Sequence, residues 1–264
     1  MVRTQDTGER LTLLKEVVTL GEEIETAFES KIQRDFKGCE PYDIPDEDLD
    51  AYFVYQFLHN TLEHARSTIT LAENGFSKQV WLVARTILEG WFYFKSFINK
   101  KPATKIDSIP KRWRSFHICQ CYQSIRKFEG PAAAIQMLND LENRIGTDVV
   151  RQAEKQFQDC QNEKLTWYRR GKIKELIKLD GDPSLEPFYE SVYSLFSQVQ
   201  HWNPMVVIAT EIDTDAALGV VIHNILMMLL HVNDFYDLEF GDKLKDTYQR
   251  FTPLLVHEVF PFRI

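Results

Sequence analysis

A chain of 264 residues with 44% hydrophobic and 27% charged residues has the size and composition of a compact globular protein. Only 11 glycines and 10 prolines occur, which excludes fibrous and disordered classes. The formal net charge is −8, so any basic surface must come from a local segment.

The cysteines and the N-terminus bear on the cellular compartment. No CxxC spacing occurs among Cys39, Cys119, Cys121 and Cys160, so neither a disulfide framework nor a zinc framework is expected. The chain begins MVRTQDTGERLTLLKE, which has no apolar stretch of the kind a secretory signal needs. We therefore expect a cytoplasmic protein.

Apolar residues at three- and four-residue steps predict a helix near the N-terminus, over about residues 8–36. A second helix is predicted from 46 to 74, with an acidic first turn. The third begins at the capping residue Ser77 and stops before Pro102. Because the third helix is apolar almost all round, it is predicted to be central.

The helical pattern continues along the rest of the chain. The segment 216–232 has His223 and Asn224 near its middle and is too short to span a bilayer, so it predicts a buried helix. The short β-branched stretch 205–210 is the one expected extended segment. Further helices are predicted over about 110–128, 131–145, 147–170, 185–202, 213–238 and 242–256.

The predicted fold is therefore all-α, a bundle of about eight to ten helices. Residues 1–264 are expected to form one domain, in which the N-terminal helix 8–36 packs on a core bundle 46–257.

Sequence signatures of the large enzyme classes are absent. No GxxxxGK[ST], GxGxxG or GxSxG occurs, which sets aside P-loop, Rossmann and α/β-hydrolase chemistry. In HNTLEH, His59 and Glu63 share a helical face, but His64 is turned away and the spacing fits no zinc motif. His223 and His231 are interpreted as core histidines. We expect no metal and no cofactor.

A polar stripe crosses the helix predicted at 185–202. Tyr193, Ser197 and His201 stand four residues apart and so share one face. Arg85 and Glu89, also four apart, are conspicuous on the apolar third helix, because buried charges must be paired. An antiparallel packing of the two helices would join all five residues in one internal polar network.

The segments VWLVARTILEGWFYF and YSLFSQVQHWNP, with WYRRGKIKELIKLDGDP between them, resemble a bacterial family of unknown function, DUF5677. The resemblance implies an all-helical fold in which Arg85, Glu89, Tyr193, Ser197 and His201 match the family pattern. It implies no activity. A weaker similarity to HEPN-like and abortive-infection helical proteins favours nucleic-acid chemistry by analogy.

Basic residues are concentrated in two segments. From Lys95 to Lys127 there are nine Lys or Arg and one Asp, and from Lys164 to Lys178 six and one Glu. Either a phosphate-binding surface or two ordinary solvated helix faces would explain them. The candidate surface residues are Arg112, Arg114, Arg169 and Arg170. Arg112 and His117 also have the R-x4-H spacing that resembles the ribonuclease motif of HEPN domains.

Three functions are compatible with these residues. The favoured one is a structural or interaction role, with the five-residue network fixing helix register. The second is a metal-independent ribonuclease of the toxin or phage-defence type, with His201 as general acid/base, Glu89 orienting it, Arg85 holding phosphate, and Ser197 and Tyr193 donating hydrogen bonds. The third is a sensor of a small anion or nucleotide bound at Arg85. The expected partner is RNA or another phosphate-bearing ligand, and no membrane is expected. A homodimer is also possible on this sequence.

Overall fold

A computed structural model describes residues 5–98, 109–151, 153, 155 and 214–256. This part of the chain is almost entirely helical and contains no strand, which confirms the all-α class. Residues 205–210 and the predicted helix 185–202 lie outside the described residues. The helices are α1 (Gln5–Ile32), α2 (Leu49–Glu73), α3 (Ser77–Ile98), α4 (Ile109–Phe128), α5 (Pro131–Ile145), α6 (Thr214–Phe235) and α7 (Gly241–Val256), with a 3-10 turn at Pro41–Asp43.

The described residues form two compact units. Unit 1 contains residues 5–34, 55–98 and 214–256, and unit 2 contains residues 35–54 together with those described between 109 and 155. Each unit is thus assembled from stretches that are distant in sequence. That residues 1–264 form a single domain stays a prediction.

Helix α6 occupies the centre of unit 1. It packs against α1, α3 and α7, and most of its apolar residues are buried, although Phe235 at its end is 38% exposed. By length and composition it could cross a membrane, but 72% of its most apolar window is buried within the protein, as predicted for a core helix. The sequence pattern predicted that α3 is the central helix. This prediction was wrong, because α3 leaves Leu82 and Thr86 exposed. An all-apolar helix must be enclosed, and α6 is apolar over more of its circumference.

The direction of each helix in unit 1 follows from residue pairs at its two ends. Thr7 bonds Asp215 at the start of α1 and α6, and Phe28 packs edge-on against Tyr236 at their far ends, so the two helices are parallel. Helix α3 is parallel to α6 for the same reason, through the pairs Ser77–Thr214, Trp91–His231 and Phe97–Phe235.

Helix α2 runs antiparallel to α1. Glu25 pairs with His59 and Glu22 with Arg66, so higher numbers on one helix meet lower numbers on the other. The side chain of Leu62 packs against the backbone of α1 at Gly21, where an added Cβ would lie 2.4 Å from a methyl carbon of Leu62. A larger residue there would therefore force Leu62 to move.

Arg10 ties three helices of unit 1 together. The side chain is 2% exposed, and its guanidinium donates 2.6 Å and 2.8 Å hydrogen bonds to the carbonyl oxygens of Asp215 and Leu254. Leu254 lies in the last turn of α7, where carbonyl groups have no partner within the helix and a cation is favourable. Arg10 of α1 thus anchors the start of α6 and the end of α7.

Unit 2 is built on α4, α5 and the 3-10 turn. A second core forms where the two helices meet, and the Cys119 thiol donates to the carbonyl of Ala153 at 3.1 Å. Gly130, whose φ is 102°, allows the sharp connection from α4 to α5. The buried residues of this core are Ile118, Cys119, Leu141, Val150 and Ala153.

Replacing Arg10 with Met should lower the free energy of unfolding by about 1.5–3 kcal/mol, because two carbonyl groups lose a charged donor. Urea denaturation measures the change. Arg250→Met is the control. Arg250 pairs with Glu16 and Asp246 at a half-exposed position, so its loss should change stability by less than about 1 kcal/mol. Equal losses in the two variants would contradict the role of Arg10.

Candidate functional site

Arg85 and Glu89 form an ion pair on α3. The Nε of Arg85 donates to Oε1 of Glu89 at 2.9 Å, and the two side chains are 14% and 29% exposed. The spacing of four residues brings them together on one turn-to-turn ridge of the helix. This confirms that the two charges predicted to face the same way do so.

Buried apolar side chains adjoin this pair on α3. Trp81 and Leu88, one turn before and one turn after Arg85, are buried. The parallel register of α3 and α6, set by Ser77–Thr214 and Trp91–His231, places Arg85 at the level of His223. A low-dielectric environment of this kind strengthens the attraction between Arg85 and Glu89.

His223 is half-buried on α6. Burial, and secondarily the positive charge of Lys95, lower the pKa of its imidazole. The neutral ring is therefore the favoured form at neutral pH, as expected of a core histidine. His231 contacts the indole of Trp91, with ring centroids 5.3 Å apart.

The other proposed members of the polar network fall outside the described residues. This applies to Tyr193, Ser197 and His201, so the five-residue network stays a prediction. Arg169 and Arg170 also lie outside, and of Arg112 only the backbone in α4 is described.

Arg114, the described member of the predicted basic surface, is buried in unit 2. Its side chain is 6% exposed, and it donates to the carbonyl of Ile44 at 3.0 Å and to the carboxylate of Asp46 at 2.6 Å. Lys111 bonds the other oxygen of Asp46. The hydrogen bond from Lys111, and then that from Arg114, hold the pKa of Asp46 below its usual value despite partial burial. Arg114 therefore fastens the segment before α2 to α4.

His117 lies in a cluster of titratable side chains that the sequence analysis did not anticipate. Its Nε2 is 3.4 Å from Oε2 of Glu40 and 3.5 Å from Sγ of Cys121, and its ring stacks on Tyr42. Burial, and then the charge of Glu40, raise the pKa of the Cys121 thiol, so the cluster does not activate a thiolate nucleophile. The i,i+4 spacing in HICQC was a visible signal for His117 and Cys121, but nothing local points to Glu40.

The titratable side chains of the HNTLEH segment of α2 bind different partners. Nδ1 of His59 lies 2.7 Å from Oε1 of Glu25, whereas Glu63 pairs with Arg66. Burial lowers the pKa of His64. Among the described residues, no group of three or more His, Cys, Asp or Glu side chains is placed to hold a metal ion.

The family of unknown function DUF5677 matches residues 51–215, which is more than half of the chain. The chain belongs to this family. The match includes Arg85 and Glu89 as well as the positions of Tyr193, Ser197 and His201. It leaves out α1, α7 and nearly all of α6. No curated protein and no solved structure matches the chain.

Asp46→Asn should destabilise the protein by about 1 kcal/mol at neutral pH, a value discounted for the half-exposed carboxylate. Because folding lowers the pKa of Asp46, its stabilising effect is complete above the ordinary value of 3.8 and is lost as pH falls through the lowered pKa. Denaturation at pH 7 and pH 3 measures this difference.

The exposed neighbour Glu47 provides the control, since Glu47→Gln should change stability little at either pH. If the gap between wild type and Asp46→Asn stayed the same at both pH values, the ion pairing of Asp46 would not be its source.

Proposed function

We propose that this DUF5677 protein is a cytoplasmic, bacterial helical protein with a structural or interaction role. In this proposal Arg85 and Glu89 form the described part of an internal polar network whose other members are Tyr193, Ser197 and His201. The 2.9 Å contact between Arg85 and Glu89, at low exposure on an otherwise apolar ridge, is the observation that carries the proposal.

The energetics of partial burial support this role. Arg85 and Glu89 lose much of their hydration, and a mutual contact between two buried charges repays that loss only when further hydrogen bonds satisfy both groups. The hydroxyls of Tyr193 and Ser197 and the imidazole of His201 are suited to supply such bonds. Polar groups that must meet in one arrangement specify a single helix register more sharply than apolar contacts do.

The placement of α6 supports the cytoplasmic part of the proposal. Most of the apolar residues of α6 are buried, and α6 packs against α1, α3 and α7. Helix α6, the most apolar segment of the described chain, is thus buried by protein and does not require a membrane to cover it.

The network predicts energetic coupling between α3 and the position of His201. His201→Ala should destabilise the protein by about 1–3 kcal/mol. In combination with Glu89→Gln, the effects should be non-additive by about 0.5–3 kcal/mol. Thermal and urea unfolding of the two single variants and the double variant measure both quantities.

Glu63→Gln is the matched control, because Glu63 forms an exposed i,i+3 pair with Arg66 on α2. Its effect should add to that of His201→Ala. Strict additivity of Glu89→Gln with His201→Ala would overturn the network.

Metal-independent RNA cleavage is the second candidate. Glu89 keeps 29% of its side chain exposed, so the pair is open to a ligand on one side. In this case His201 would act as general acid/base with Glu89 orienting it. Arg85 would bind the phosphate, which a guanidinium suits through its fork of donors. Tyr193 and Ser197 would donate hydrogen bonds.

RNA incubated with the purified protein in EDTA tests this candidate. Cleavage should fall about 10²- to 10⁴-fold in His201→Ala and persist in the control His59→Asn. Intact RNA, or cleavage that persists in His201→Ala, would contradict RNA cleavage by His201. A rise in melting temperature with inorganic phosphate, without cleavage, would instead favour an anion sensor.

A further inference from the structure

One side of α3 faces solvent and carries almost no charge. Its residues stand three or four positions apart and therefore share one helical face, which we call the outer face of α3. Thr86 lies at its centre and is exposed, and Leu82 one turn earlier is 39% exposed. The uncharged residues of the outer face, which are exposed or half-buried, are Gln79, Leu82, Val83, Thr86, Gly90 and Tyr93.

This composition differs from that of an ordinary solvated helix face. The solvent-facing side of a helix normally carries charged residues, and the exposed side of α1 does so with Lys15, Glu16 and Glu23. On the described outer face of α3 the one charge is Glu89 at its edge, which Arg85 neutralises at 2.9 Å. Depletion of charge distinguishes the centre of a protein interface from the remaining surface.

Gly90 is not explained by packing among the described residues. Glycine in the middle of a helix lowers helix stability, because it gives up the most backbone freedom on folding. At Gly21 of α1 the missing side chain makes room for Leu62. At Gly90 an added Cβ would meet no atom within 4 Å in the described part of the chain. The space over Gly90 therefore suits a side chain from another molecule.

Thr86 can be covered without the loss of a hydrogen bond. Its hydroxyl donates to the carbonyl oxygen of Leu82, one turn back on the same helix, at 3.3 Å. A buried donor without a partner is costly, and this internal bond supplies the partner in advance. The centre of the outer face is thus suited to close contact with an apolar surface.

We propose that the outer face of α3 binds the same face of a second copy of this chain, with the two helices antiparallel and crossing at Thr86. A two-fold axis at Thr86 places each residue opposite the residue that is equally far from Thr86 in the other direction. Leu82 then lies over Gly90 of the second copy, and Gln79 lies opposite Tyr93. The dimer deepens the interaction role proposed above and does not depend on the polar network.

The residues at these paired positions complement each other. Leu82 projects from the outer face, whereas Gly90 leaves open space, so the branched side chain of one helix enters a gap in the other. The amide of Gln79 and the phenol of Tyr93 can form a hydrogen bond. Because the interface is symmetric, each of these contacts occurs twice.

Charge and shape favour the antiparallel direction. In a parallel pair, Glu89 would face Glu89 of the second copy, and opposed like charges are unfavourable. Leu82 would also face Leu82, and the space at Gly90 would stay unfilled. In the antiparallel pair the two Glu89 residues lie on opposite sides of the crossing point, about 9 Å apart along the helix axis.

The size of the outer face predicts a weak dimer. From Gln79 to Tyr93 the helix rises by about 21 Å. Two helices in contact over this length bury less than the roughly 800 Å² per partner that a stable interface needs. We therefore expect a reversible dimer that forms at roughly 10–100 μM protein.

Sedimentation velocity of the full-length protein tests the proposal. The weight-average sedimentation coefficient should rise from that of a monomer toward that of a dimer between about 1 and 500 μM protein. A protein that stays monomeric over this range would overturn the proposal. The readout is association and not stability, so the dimer and the polar network can fail separately.

Two variants locate the interface. Leu82→Glu places a charge in the contact, and Gly90→Leu fills the space that Leu82 of the second copy needs. Each should weaken dimerisation by more than about tenfold. Ile135→Glu is the control, because Ile135 is a 54% exposed apolar residue of α5 and its replacement should leave dimerisation unchanged. Dimerisation that persists in both α3 variants, or that Ile135→Glu weakens equally, would reject the outer face.

Melting curves distinguish a second copy from coverage by the same chain. Gly90→Leu should keep or raise the melting temperature, because leucine favours the helix and has room beside the described residues. A clearly lower melting temperature would show that another part of this chain already covers the outer face. That result would also overturn the proposal.

A charge exchange tests the direction of the two helices. Leu82→Lys and Gly90→Glu should each weaken dimerisation. The double variant should bind at least about tenfold more tightly than either single variant, because the introduced lysine of one copy faces the introduced glutamate of the other. A double variant that binds no better than the single variants would reject the antiparallel pairing.

Discussion

The burial of α6 is the constraint on which unit 1 depends. A helix with apolar residues around most of its circumference gains from enclosure, whereas α3 keeps an exposed side at Leu82 and Thr86. Helices α1, α3 and α7 pack around α6. The position of the Arg85–Glu89 pair follows from this arrangement, because α3 directs its most apolar side toward α6 and leaves the pair on a neighbouring ridge.

Polar contacts at the helix ends fix the level of α6 relative to α1 and α3, which apolar burial alone does not determine. Apolar burial is non-directional, so it favours the enclosure of α6 more than it fixes the level of α6 along its neighbours. Thr7 and Arg10 hold the start of α6 through Asp215, and Ser77 meets Thr214 at the same end. Because these bonds lie at one end, they set the level at which every later residue of α6 meets α1 and α3.

The sequence predicted local features well and tertiary pairing poorly. The apolar residues whose three- and four-residue steps predicted the N-terminal helix include Leu14 and Phe28, and both are fully buried in α1, because helical periodicity reports local geometry directly. The pairing of Arg85 with Glu89 was predictable for the same reason. Arg114 looked like part of a basic surface because its partner Asp46 is 68 residues away, and the link from His117 to Glu40 is equally non-local. The central position of α6 instead of α3 was missed because both segments are strongly apolar, and only the larger apolar circumference of α6 distinguishes them.

The family match ends inside unit 1, where α3 packs on a helix that lies almost entirely outside the match. Residues 51–215 contain most of α2 and all of α3, but lack α1, α7 and nearly all of α6. A chain trimmed to those limits would lose the packing of α3 on α6, including the contact of Trp91 with His231. The helix that covers this side of α3 thus comes almost entirely from outside the shared segment, so the shared segment alone would carry an uncovered apolar surface that favours self-association.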